Sequence, residues 1–118
     1  MKRWIFLLML SLAACKSDEG INCTQEARAG LQVRIILENT FTVVTQGISV
    51  VAIEGDFQEE LELWPGSTDF TGLFERAGTY TVIVSGEGFI PVTIGNVVIQ
   101  RDECHVITEF LQIFIKAA

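Results

Sequence analysis

From Leu31 to Ile115 apolar residues recur at every second position. That period puts apolar side chains on one face of a half-buried strand, whereas an amphipathic helix needs spacings of three and four. Leu31, Val33, Ile35 and Leu37 point one way, with Gln32, Arg34 and Glu38 opposite. Ile48, Val50 and Ala52 form the next set, followed by Phe57, Leu61 and Leu63, with Gln58, Glu60 and Glu62 facing out. Tyr80, Val82 and Val84 follow, then Val92 and Ile94, Val97 and Ile99, and last Leu111, Ile113 and Ile115. The pattern predicts roughly seven short strands. Phe110 to Lys116 can be drawn on a helix, but its β-branched residues and alternation favour a strand.

Turn residues separate these runs at Asn39-Thr40, Gln46-Gly47, Glu54-Gly55-Asp56, Pro65-Gly66-Ser67, Ala77-Gly78, Gly86-Glu87-Gly88 and Gly95-Asn96. Short strands with turns this frequent read as an all-β sandwich or barrel. The 118 residues suffice for one domain and a short appendage.

The appendage is at the start. Lys2 and Arg3 precede the apolar run Trp4 to Leu10, and small residues follow at Ser11, Ala13 and Ala14. This is the three-part pattern of a secretory signal, too short to span a bilayer as a helix. Leu12-Ala13-Ala14-Cys15 resembles the lipobox of bacterial lipoproteins. The resemblance implies cleavage of residues 1–14 and a diacylglyceryl group on Cys15. Residues 15–21 then form a polar, flexible tether, and 22–118 the domain. Lys16 stands where an aspartate resembles an inner-membrane retention signal, so the expected location is the outer membrane, facing periplasm or surface.

The chain has 8 basic and 15 acidic residues. Loss of Lys2 and Arg3 with the signal leaves 6 against 15, a charge of −9. Scattered cations on an acidic protein argue against nucleic acid and against docking on anionic headgroups. Membrane attachment is therefore expected through the lipid on Cys15 alone.

Glu75-Arg76-Ala77-Gly78-Thr79-Tyr80 through Gly86-Glu87-Gly88-Phe89 resembles the central signature of carboxypeptidase regulatory-like domains. There a Gly-Thr-Tyr step opens a strand and a Gly-aromatic pair closes it; Phe89 stands where tyrosine is more usual. Cys23, Glu26, Gly55 and Cys104-His105-Val106 agree with small lipoproteins carrying this domain. The resemblance implies a transthyretin-like, immunoglobulin-like β-sandwich of non-catalytic character. Gly78, Tyr80 and Gly88 are then expected to have structural roles, ligand contact being the alternative, with the Tyr80 hydroxyl tied to loop backbone as in tyrosine corners.

With Cys15 lipidated, Cys23 and Cys104 remain as an even pair in an oxidising compartment. A disulfide between them is expected, free thiols being the alternative. His105 is the only histidine, and no carboxylates show ligand spacing, so no metal or other cofactor is expected. Ser49, Ser67 and Ser85 lie in no nucleophile-elbow motif, and Glu59 and Glu60 point to opposite strand faces. The histidines and C-terminal Tyr-Arg-Gly-Ser tail of the transthyretin-like hydroxyisourate hydrolases are missing. No enzyme is expected.

Trp64, Phe70 and Phe74 lie in a turn-rich stretch without an obvious strand partner, and are the candidate binding residues. Their alternative role is to cap one end of the core. The expected function is a lipid-anchored structural or interaction module. Its alternatives are a carbohydrate- or peptide-binding accessory protein and a small inhibitor or immunity-type lipoprotein with a protein partner.

Overall fold

The computed structural model describes residues 23–118. The expected signal segment, Cys15 and the tether lie outside the described residues. The described part is all-β, with its strands arranged in two sheets.

Sheet A contains β1 (Leu31–Leu37), β2 (Thr42–Val43), β5 (Glu62–Leu63), β6 (Phe70–Gly72) and β10 (Glu109–Ile115). Its order is β10-β1-β6-β5, with β2 also on β1. Sheet B contains β3 (Ser49–Glu54), β4 (Phe57–Glu60), β7 (Gly78–Ser85), β8 (Val92–Arg101) and β9 (Val106–Ile107), in the order β4-β3-β7-β8-β9. All pairings are antiparallel except β1 with β10, which run parallel from Leu31↔Glu109 to Leu37↔Ile115.

The alternation explains how the sheets meet. Leu31, Val33 and Ile35 of β1, Phe70 of β6, and Ile113 and Ile115 of β10 share one buried cluster with Val50, Ala52, Tyr80, Val82, Val84, Val97 and Ile99 of sheet B. Each fully buried side chain of this size contributes about 1.5–3 kcal/mol of transfer free energy. The result is a β-sandwich.

Among the described residues ten strands replace the roughly seven expected. Strands β2, β5 and β9 have two residues each, too few to display a period. The Phe57–Leu63 run divides into β4 and β5 around the buried Leu61, whereas the Val92–Ile94 and Val97–Ile99 runs join in β8. Gly95-Asn96 is thus no turn between strands. Tyr80 pairs with Val97 and Val82 with Ile94, so two residues oppose Thr81 alone, which is a β-bulge. Asn96 takes φ 57°, a conformation asparagine tolerates better than most residues. The extra residue lets Ile94 and Val97 both face inward although three positions apart.

The parallel β1–β10 pair also places the disulfide. The segments entering the two strands lie side by side, and Cys23 and Cys104 are bonded there with Cα atoms 5.2 Å apart across 81 positions. The bridge therefore ties together the entries of the two strands. The C-terminus leaves the opposite end of β10, where Ala118 donates to the Gly88 carbonyl and Ile90 to that of Lys116.

Candidate functional site

The exposed aromatic rings gather on one side of the sandwich. Trp64 follows β5 and Phe74 follows β6; their rings stack 10° from parallel with centroids 5.8 Å apart. They remain 51% and 38% exposed, too open to be core caps. Phe70 does not belong with them: it pairs with Val33 and Leu63 and is buried in the core.

Phe74 owes its position to unusual backbone. Leu73 and Glu75, on either side of it, adopt φ of 57° and 54°. For residues other than glycine this conformation costs roughly 1–2 kcal/mol each. Both are held from several directions. Leu73 is fully buried; its N–H donates to Glu59 Oε2 at 3.0 Å and its carbonyl accepts from Gly30 and Arg76. A Cβ on Gly30 would sit 2.6 Å from that carbonyl, so glycine is required for the approach. The Glu75 N–H donates to the Arg28 carbonyl while its carboxylate accepts from the N–H of Arg28 and Val106. Between two inward-turned neighbours, Phe74 is directed onto Trp64. Strain held in place by its surroundings is a recurring property of functional sites.

From the Trp64–Phe74 stack the outer face of sheet A continues across the strands. A groove of about 320 Å³ lies beside the stack, lined by Ala27, Ala29, Gln32, Ser67 and Thr71 as well as the two rings. Gln32 also borders a second groove of about 490 Å³, with Arg34, Asp69, Phe110, Leu111 and Gln112. Register fixes the side: Gln32 is opposite Phe110 and Thr71, Arg34 opposite Gln112, and Ile36 opposite Phe114 and Val43. Phe110 is 68% exposed, and Phe114 meets the exposed Phe41 edge-on at 6.2 Å. Arg34 Nε donates to Asp69 Oδ1 at 2.8 Å, which cancels the charge at the centre of the face. Flat rings, two amides and one neutralised ion pair therefore share a continuous surface.

The other polar clusters close the fold. At the disulfide end His105 is buried, with Nδ1 2.6 Å from Glu75 Oε2 and Nε2 2.8 Å from Thr24 Oγ1. Asp102 Oδ1 accepts from the N–H of Cys104 and His105. The Arg28 N–H, then His105, hold the Glu75 carboxyl below the usual carboxylate range; the N–H groups of His105 and Cys104 do the same for Asp102. The connectivity Glu75–His105–Thr24 is that of an acid–imidazole–hydroxyl relay. It also joins the segment before β1, the loop after β6 and the loop before β9.

Around Gly78 and Tyr80 the second cluster is equally complete. The Tyr80 hydroxyl donates to the Arg76 carbonyl at 3.0 Å and accepts from Arg76 Nη1 at 3.0 Å. The same nitrogen donates to Glu54 Oε1 at 2.7 Å, and the guanidinium carbon lies 3.6 Å from the Phe57 ring centroid. Arg76 and the Thr79 N–H lower the Glu54 carboxyl's affinity for protons. Gly78 has φ 150°, and a Cβ there would collide with the Glu54 carboxylate. Gly88 takes φ 89° in the turn after β7.

The structure thus brings together Trp64 and Phe74 but sends Phe70 inside, and it places Cys23 on Cys104. Sequence reasoning missed Phe110, Phe114, Gln32, Arg34, Asp69 and Gln112 as parts of one face. The alternation that buries Ile113 and Ile115 already sends Phe110 and Phe114 outward. Among the described residues, no three His, Cys, Asp or Glu side chains are placed to hold a metal ion. No protein-family model and no curated protein matches the chain.

Proposed function

We propose that the chain is a non-catalytic, lipid-anchored module of the bacterial cell envelope that binds glycan on the outer face of sheet A. The observation that carries the reading is the Trp64–Phe74 stack on a strained segment, continuous with Gln32, Arg34–Asp69, Gln112 and Phe110. The C–H face of a sugar ring carries slight positive charge and packs on the negative face of an aromatic ring. Planar amides and a guanidinium–carboxylate pair offer paired donors and acceptors to neighbouring hydroxyls. The cancelled charge of Arg34 favours a neutral glycan.

The non-catalytic part rests on how the relay is used. Both Glu75 oxygens already accept backbone N–H groups, and the Thr24 hydroxyl is a hindered secondary alcohol beside the disulfide. This is how a structural tie is built. The anchoring part rests on Lys2-Arg3, the apolar run and Leu12-Ala13-Ala14-Cys15. The resemblance of the Glu75–Phe89 region to carboxypeptidase regulatory-like domains supports a transthyretin-like version of the sandwich.

Labelling with radioactive palmitate tests the anchor: wild type takes up label and Cys15→Ala does not, and a labelled variant refutes it. A glycan array probed with the mature chain and with Trp64→Ala tests the binding face. Retention by wild type and loss in the variant is expected, and a blank array sinks the glycan reading.

A further inference from the structure

Among the described residues strand β10 ends sheet A, and only β1 pairs along it. Its directions are fixed at both ends: the Glu109 N–H donates to the Gly30 carbonyl, and the Ile115 carbonyl accepts from Glu38. Odd-numbered residues therefore turn their backbone groups toward β1, and those of Phe110, Gln112 and Phe114 point off the edge. Beyond them the edge is covered, because Lys116 and Ala118 bond to Ile90 and Gly88. A free edge is normally blunted by a charge, a proline or a bulge, and Phe110 to Ile115 has none of these.

We propose that this edge is the interface for a second copy of the chain, paired antiparallel about a two-fold axis at Gln112. The segment Phe110-Leu111-Gln112-Ile113-Phe114 reads alike in both directions by side-chain class. With Gln112 opposite Gln112 of the second copy, each Phe110 meets a Phe114 on the outer face and each Leu111 an Ile113 on the inner one. Every outward N–H and C=O of Phe110, Gln112 and Phe114 then finds its counterpart, since facing residues in such a register exchange both bonds. Aromatic and branched pairs directly opposite are the favoured cross-strand neighbours. The acidic Glu109 end of each strand comes against the Lys116 end of the other. An isologous contact of this kind closes on itself, which stops the open edge from templating a fibre. It also joins the two sheets A into one, with both Trp64–Phe74 stacks on the same face and two lipid anchors per assembly. The dimer does not depend on what that face binds.

The mature, lipidated chain in detergent is the material for the test, read by sedimentation and by oxidative crosslinking. Wild type sediments as a dimer at micromolar concentration, and Gln112→Cys gives a covalent dimer that Glu62→Cys, on the opposite edge of sheet A, does not. Gln112→Pro removes only an outward N–H and leaves the β1 ladder intact, so it yields a folded monomer. Should that variant fail to fold, Gln112→Lys serves, because two lysines facing each other across the axis weaken association by roughly tenfold or more. A monomeric wild type, equal crosslinking at both edges, or a dimer that survives Gln112→Lys overturns the proposal.

Discussion

The disulfide end and the outer face of sheet A use their residues in opposite ways. Around His105, every interior-facing polar group finds a partner within the chain: Glu75 takes Arg28, His105 and Val106, Asp102 takes Cys104 and His105, and Thr24 completes the ring. On the outer face large rings are left to water, with Phe110 and Phe41 more than two-thirds exposed. Among the described residues sheet B presents no such face; its outward positions at Val51, Thr79, Thr81 and Ile83 are β-branched. The difference teaches that polar groups here secure the fold while aromatic groups are displayed. Removing a member of the first set should destabilise the domain, and removing one of the second should cost association alone.

Four perturbations sharpen this contrast. Replacing Cys23 and Cys104 together by serine frees a loop of 81 positions, and chain entropy puts the loss at roughly 4 kcal/mol, seen as a lower urea midpoint. Leu73→Ala opens a cavity in the core and costs about 3 kcal/mol by the same assay. Because Leu73 also fixes Phe74, the variant should additionally lose ligand at the outer face. Tyr80→Phe keeps the ring but deprives the Arg76 carbonyl of its donor, for a loss of about 1 kcal/mol. Trp64→Ala, at the other extreme, should stay within about 0.5 kcal/mol of wild type.

Acid provides an independent probe of the polar side of the comparison. Glu75, Glu54 and Asp102 are all held below their unfolded values. The folded state then binds fewer protons than the unfolded one, so stability rises with pH through this range. Their contribution is complete above the unfolded carboxylate range, near about 4, and disappears as pH falls through the lowered folded values. Urea midpoints measured downward from neutral pH should drop across that window, and Glu75→Gln should flatten the drop. A profile unchanged by the substitution would mean that Glu75 does not hold the loops together.

Much of the fold was legible because parity is a strong signal. The inward sets of β1, β3, β7 and β10 follow directly from alternation, and the Cys23–Cys104 pairing was expected once Cys15 was set aside for the lipid. Three kinds of feature were hidden. Two-residue strands leave no period, and the bulge at Gly95-Asn96 uses the same residues as a turn. Phe70 alternates only with Gly72, whose missing side chain leaves no apolar pattern to mark the inward face. The Trp64–Phe74 stack depends on left-handed backbone at Leu73 and Glu75, residue types that do not advertise that conformation. Packing and hydrogen bonds from distant segments impose it, and local sequence carries no trace of them.

The most direct test uses Trp64 itself. In the mature chain we propose, which lacks residues 1–14 and with them Trp4, it is the one tryptophan. Its emission can be followed while the mature chain is titrated with a glycan retained on the array. The account predicts a saturable change in emission that Phe74→Ala abolishes while the urea midpoint stays at the wild-type value. Constant emission while that glycan binds, or a midpoint that falls as for a core substitution, would contradict it.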